Sequence, residues 1–446
     1  MQATETFRGS FGFLMAAIGF AVGLGNIWRF PYVVGENGGG AFVAVYLICA
    51  IAIGIPIVMA EILIGRRGGS SPPGSMGQLA KDGGASERWS HVGHLNLATA
   101  FLIMTTYAAV AGWVIWYLYK ATVTGFDGME AGTALDTFNG VKESNIGMIF
   151  WTTIVLSLTG LIIYSGVNDG IERSVRILMP TLFLLILSLV VYNMAAGGFG
   201  EAMAYLFTPD FSKVNGPMIL AAVGQAFFSI GVAMAGMMTF GAYLPKSVSI
   251  GQCAVIIIIA DTLVAILAGL MIFPIVFRFG LDPAGGPGLI FQILPVAFAQ
   301  MPGGHFVSMV FFSLLTVAAV TSMVGLVEPQ VAWTSERGNM GRHKATVTVL
   351  GAIGGVALIS ILSYNVLANV RIGGFDFNGL VDFTSNQVML PVGGLLIAVF
   401  AGWVVRRSDL VDELNLGGGL FTLWRVLIRF LVPAAVAVII VTGLVP

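Results

Sequence analysis

Residues 11–36 form an apolar run of membrane-spanning length, yet its middle is unlike a spanning helix. Gly19, Gly23 and Gly25 fall within seven residues and are followed by Asn26 and Arg29. Glycine weakens a helix by about 1 kcal/mol relative to alanine, so this cluster invites the backbone to open. Inside a bilayer an opened backbone leaves N–H and C=O groups unpaired, which is tolerated only where they line a polar cavity or meet a ligand. A broken span of this kind points to a transporter.

The rest of the chain supports a membrane setting. Of its 446 residues 57% are apolar and 10% charged, with a mean hydropathy of +0.92; soluble domains carry about 25% charged residues. The net charge of −1 points to no nucleic-acid partner. Residues from Phe11 onward run past the length of a cleavable signal core. Cys49 and Cys253 sit in apolar runs and read as inert small hydrophobes. The four histidines show no metal-ligand spacing, and no nucleophile–base pair appears at membrane depth, so no catalytic residues and no enzyme activity are expected.

With about 20 apolar residues needed per span, eleven helices are expected near 11–36, 39–66, 93–120, 147–166, 173–196, 216–245, 250–278, 304–335, 345–366, 380–405 and 421–445. An N-terminus in the cytoplasm places fifteen of the 21 Lys and Arg residues inside, with Arg29 in the membrane, and puts the C-terminus outside. The Gly/Ser/Pro-rich segment 66–90 reads as a mobile loop, and 280–303 as a loop with helical turns. A second interruption, at Ser229, Gly231 and Gly236, lies five spans after the first. The expected fold is an all-α polytopic membrane protein with broken first and sixth helices and an inverted five-helix repeat. Its divisions are a latch at 1–10, repeats at 11–200 and 201–410, and an eleventh helix at 411–446.

Asp261 is the most informative isolated residue. A carboxylate within AVIIIIADTLVAILAG costs a few kcal/mol unless it is paired, which marks it as functional.

Five stretches, GFAVGLGNIWRFPYVVGENGGGAF (19–42), GVNDGIERSVRILMP (166–180), GQAFFS (224–229), AVTS (319–322) and DFTSN (382–386), resemble the neurotransmitter:sodium symporter family, and closely its bacterial eleven-helix amino-acid branch. The resemblance implies sodium-coupled symport of a neutral, hydrophobic amino acid across a prokaryotic plasma membrane by alternating access. It implies a first sodium site from the Ala21 carbonyl, Asn26, Ser229 and Asp261. A second follows from the Gly19, Val22 and Ala318 carbonyls with Thr321 and Ser322. Read alone, Asn26 could equally serve an interhelical hydrogen bond, and adjacent Thr and Ser commonly bond back to the preceding turn.

The same resemblance implies a substrate site. The amides of Leu24 and Gly25 would meet the carboxylate together with Tyr107, and the carbonyls of Ala21, Phe228 and Ser229 the amine. Ile103, Phe228, Gly231, Met234, Ser322 and Leu326 would surround the side chain. Gly23 stands where monoamine carriers of this family hold an aspartate, so the substrate should bring its own acid. Asp261 replaces an asparagine common in the family, and Ala265 offers no hydroxyl to an anion, which implies chloride-independent transport. Arg29 and Asp382 match an outer gate with Phe228 as lid, and Glu61 a buried acid bracing the first helix. The inner latch departs from the family: Phe7 and Ser10 replace its Trp and Arg, leaving Arg8, paired with Glu336, as the expected substitute. Ala233 and Ala235 replace glycines of the sixth helix, implying a shorter or stiffer break. An osmolyte or ω-amino acid carrier of the taurine, GABA or betaine type, and a non-transporting sensor, are the alternative readings.

Overall fold

A computed structural model describes residues 6–283 and 288–444. Residues 1–5 of the expected latch lie outside them. The chain crosses as Ser10–Ala21 with Gly25–Glu36, then Gly40–Gly68, Glu87–Val123, Asn145–Tyr164 and Val167–Ala196. A sixth span follows in two pieces, Gly216–Ile230 and Gly236–Ala242. Ile250–Arg278, Gly304–Arg337, Arg342–Ser363, Phe377–Val404 and Gly418–Thr442 bring the spans among the described residues to eleven, the two-piece sixth included. The two halves of the first span meet at a 47° bend.

Turn chemistry sets several boundaries. Gly69, in the left-handed region at φ 62°, ends the second span. Asn215 and Ser249 start the sixth and seventh by accepting the amides of Met218 and Gln252. The eighth span is the axis of the molecule, with 78% of its most apolar window buried, and packs on the third. The eleventh is 17% buried by the same measure and lies at the periphery.

Two segments differ from expectation. Residues 66–90 are not a mobile loop: Pro72–Asp82 is a helix that buries Met76, Leu79 and Ala80 against the second and third spans. Pro72 and Pro73 occupy its first turn, where a missing N–H costs nothing, and the apolar spacing does the rest. Likewise Leu289–Gln300 is a continuous helical segment, buried at Leu294, Ala297 and Phe298.

Candidate functional site

The first break runs from Ala21 to Gly25, with Val22 extended at φ −74° and ψ 98°. Asn26 follows immediately and is fully buried. Its amide donates to Ser229 Oγ (2.9 Å), to the Asp261 carbonyl (3.0 Å) and to Asp261 Oδ1 (2.8 Å). Asp261 also accepts from Ser229 Oγ (2.9 Å) and Tyr46 OH (3.3 Å). Among the described residues no basic side chain pairs with this carboxylate. A buried carboxylate at membrane depth with only neutral neighbours is a charge in need of a cation. The oxygens beside it are those a hard monovalent ion takes. The donor set therefore fits sodium; Asn26 Oδ1 accepts the Gly23 amide at 3.2 Å and has a second lone pair left to offer an ion.

The expected second ion site is also oxygen-rich. Ser322 Oγ lies 3.3, 3.2 and 3.3 Å from the carbonyls of Gly19, Phe20 and Val22. One hydroxyl proton serves one of three acceptors, so two lack a donor that a cation can replace. Thr321 Oγ1 bonds back to Val317 (2.9 Å) and Ala318 (3.2 Å), the ordinary behaviour of a helical threonine.

Between the two lies a cavity of about 30 Å³. Ala21, Gly23, Leu24, Gly25, Ile103, Tyr107, Phe228, Ser229, Gly231, Met234, Ser322 and Leu326 all line it, so the structure brings every expected substrate contact to one place. The Leu24 amide donates to Tyr107 OH (3.3 Å), joining the two groups expected at a carboxylate. A side chain at Gly23 would collide with Ser322 Oγ and lie 3.2 Å from Tyr107 OH. Gly23 thus keeps the floor open as well as uncharged.

Phe20 also lines this cavity and was not foreseen there. Its ring fills the room left by three glycines on other elements: added Cβ atoms at Gly231 and Gly236 would come within 2.7 and 2.5 Å of it, and one at Gly325 would overlap it. The ring also meets Phe240 edge-on at 6.3 Å. The only sequence signal is the coincidence of a bulky residue in the first break with glycines in the sixth and eighth spans.

The sixth-span break is held by Glu61. Its Oε1 accepts the Ala233 amide (2.7 Å), so Glu61 braces the sixth helix rather than the first, as was expected. The break frees that N–H, and a buried carboxylate is its nearest acceptor. Ala233 and Ala235 adopt left-handed conformations at φ 60° and 64°, beside Gly231 at φ 73°.

The expected gates are differently arranged. Arg29 and Asp382 line one outer cavity of about 390 Å³ without forming an ion pair. Arg29 instead stacks on Phe228, 4.5 Å from the ring centre, and Asp382 accepts from Asn386 (2.6 Å). The outer cavity keeps the two charges solvated and apart. On the opposite side, Arg8 pairs with Asp169 (2.9 Å), not Glu336, and both partners are exposed. Glu336 accepts the Ser70 hydroxyl and Ser71 amide, each at 2.8 Å, because the unforeseen 72–82 helix presents its N-terminal turn there. Closure comes from Phe7, buried against Phe13, Phe240 and Tyr243 with ring centres 5.9–6.2 Å away. Beneath it Tyr243 donates to Glu328 (2.9 Å), and Arg342 grips the same carboxylate at 2.9 and 2.6 Å. The side bearing Arg8 is shut and the side bearing Arg29 open.

Two broken spans around a buried, cation-seeking carboxylate and a pocket between them define a membrane carrier. The profile of the sodium:neurotransmitter symporter family matches residues 4–130 and 131–446, and the chain belongs to that family. It is a sodium-dependent symporter of the multi-pass membrane class, not an enzyme. An uncharacterized sodium-dependent transporter of Bacillus subtilis, YhdH, is 35% identical over 98% of this chain and 97% of its own. The sodium-dependent neutral amino acid transporter B(0)AT3 of mouse is 26% identical over 79% of this chain and 71% of its own. Among solved structures, that of MhsT in complex with L-phenylalanine superposes with a TM-score of 0.91 at 39% identity, covering 99% of this chain and 100% of the other.

Proposed function

We propose that this chain couples two sodium ions to uptake of a neutral, hydrophobic amino acid, without chloride. The N-terminus lies in the cytoplasm of a prokaryote and the C-terminus outside. The two five-helix units, 11–200 and 201–410, are inverted repeats that rock about the shared site. The observation that carries this reading is Asp261, fully buried and bonded only to neutral groups beside Ser229, which itself lines the pocket.

Sodium held by the Ala21 carbonyl, Asn26, Ser229 and Asp261 would abut the substrate carboxylate met by Leu24, Gly25 and Tyr107. Each then stabilises the other's site, and that reciprocity is the coupling. The second ion, at Gly19, Val22, Ala318, Thr321 and Ser322, would tie the first span to the eighth. Arg29 and Asp382 would close over Phe228 once both are bound. The apolar walls Ile103, Met234 and Leu326, with Phe20 as floor, favour an uncharged side chain. That MhsT was solved with phenylalanine, and that B(0)AT3 of mouse is called a neutral amino acid transporter, support the substrate class.

Chloride independence follows from what surrounds Asp261. The hydroxyls of Tyr46 and Ser229, which an anion would need, are already committed to this carboxylate, and Ala265 is a buried methyl. The negative charge that sodium requires is built into the chain.

Proteoliposomes with an inward sodium gradient provide the test. Labelled leucine should accumulate, GABA should not compete, and replacing chloride by gluconate should leave uptake unchanged. Collapse of uptake in gluconate would overturn chloride independence. Competition by GABA rather than leucine would overturn the substrate class.

A further inference from the structure

The arginines around the inner ends of the second, tenth and eleventh spans are of two kinds. Arg66 donates to Glu413 Oε2 and to the Glu413 carbonyl, both at 2.6 Å, and Arg67 reaches Asp409 at 2.6 Å. Arg407, Arg425 and Arg429 form no ion pair among the described residues. They nevertheless lie together in the fold: Arg407 opens the helix just after the tenth span, and Arg425 and Arg429 sit one turn apart on the eleventh where it meets the end of the tenth.

Local structure holds this gathering in place. The tenth and eleventh spans each relax into a wider π turn here, Phe400–Val404 and Leu427–Leu431, and the two turns touch. Arg429 donates Nε to the Gly402 carbonyl at 2.6 Å and lies 4.6 Å from the Trp403 ring centre. A Cβ at Gly402 would stand 2.9 Å from the Arg429 stem, so glycine makes the approach possible. Arg425 Nε is buried and has no hydrogen-bond partner. Beside these cations Trp403, Leu423, Val426 and Phe430 are all exposed, on a span that is almost wholly peripheral.

Three neighbouring guanidiniums with no ion-pair partner among the described residues call for an anion, and their planar forks suit phosphate oxygens. Because the cluster borders outward-facing apolar and aromatic side chains at a helix end, that phosphate should carry acyl chains. We propose that Arg407, Arg425 and Arg429 form a headgroup site for an anionic phospholipid of the inner leaflet, with its chains lying along the exposed Phe430, Leu431 and Val438 further up the same span. The assignment to that leaflet rests on the orientation proposed above; the binding chemistry does not.

The full chain in nanodiscs of phosphatidylcholine, with or without phosphatidylglycerol, provides the test, read by native mass spectrometry of retained lipid and by thermal unfolding. Phosphatidylglycerol should be retained and raise the unfolding temperature. Each arginine-to-glutamine change at 407, 425 and 429 should weaken its binding about fivefold, while Lys344→Gln should not. Arg407 is exposed at a helix start, so Arg407→Gln keeps the test readable if the triple variant fails to fold. Unchanged phosphatidylglycerol binding in Arg407→Gln or in the triple variant would overturn the proposal. So would equal stabilisation by inorganic phosphate, which would identify a soluble anion as the occupant. Labelling of Ser408→Cys in sealed cells by an impermeant reagent would overturn the orientation alone.

Discussion

The two broken spans open by different means. The first passes from Ala21 to Gly25 with no residue at positive φ, through one extended residue, Val22. The sixth winds left-handed at Gly231, Ala233 and Ala235, two of which carry a Cβ in a region that costs about 1–2 kcal/mol per residue. The first break turns carbonyls toward Ser322 and its carbonyl cluster, whereas the sixth supplies pocket wall through Gly231 and Met234. Its strained geometry is over-determined by Glu61 at the Ala233 amide and by Phe20 seated against Gly231 and Gly236. The clustered carbonyls thus belong to an unstrained opening, and the shape of the pocket to one that its neighbours must hold.

The sharpest way to break this contrast is to remove the charge served by the first opening. Asp261→Asn should weaken sodium binding by about two to four decades, the equivalent of about 3–5 kcal/mol for taking away one partner of a buried charge pair. Sodium titration of thermal stability reads this directly, and an unchanged midpoint would remove Asp261 from the ion site.

A smaller effect is expected where the two breaks meet. Phe20→Ala should empty the cradle between Gly231, Gly236 and Gly325, shifting the ratio of uptake of bulky over small apolar amino acids about tenfold. Sodium affinity should change much less than this ratio, since the Gly19, Ala21 and Val22 carbonyls are backbone groups. Equal loss for all substrates would make Phe20 a packing residue only.

The smallest effect should come from the sixth break itself. Ala233→Gly and Ala235→Gly each relieve a left-handed alanine and should stabilise the protein by about 0.5–1 kcal/mol in thermal unfolding. Glycine should also loosen the Met234 wall and broaden substrate choice slightly. Destabilisation by either change would show that the alanine methyl groups, such as that of Ala233 packed toward Gly393, hold the break.

Much of the site was legible because its residue types are chemically out of place. A carboxylate in an apolar span has few structural uses, so type alone marked Asp261, whereas Asn26, Thr321 and Ser322 have ordinary structural uses and stood out only with the family resemblance. Phe20 was illegible for the opposite reason: a phenylalanine in an apolar span looks like any core residue until the glycines opposite it are located. The same limit applies to the closures. Arg8 could meet either Glu336 or Asp169 by charge; it meets Asp169, while Glu336 accepts the Ser70 hydroxyl and the Ser71 amide just ahead of the 72–82 helix.

What the sequence by itself determined is the set of spans, the positions of the two breaks and the kinds of oxygen and amide near them. These follow from local hydropathy and from the backbone freedom of glycine. Tertiary structure alone decided that Phe20 floors the pocket, that Glu61 braces the sixth break, and that Phe7 shuts one side while Arg29 and Asp382 stand apart on the other. Each of these joins residues far apart along the chain, where charge and size allow several partners and only packing selects one.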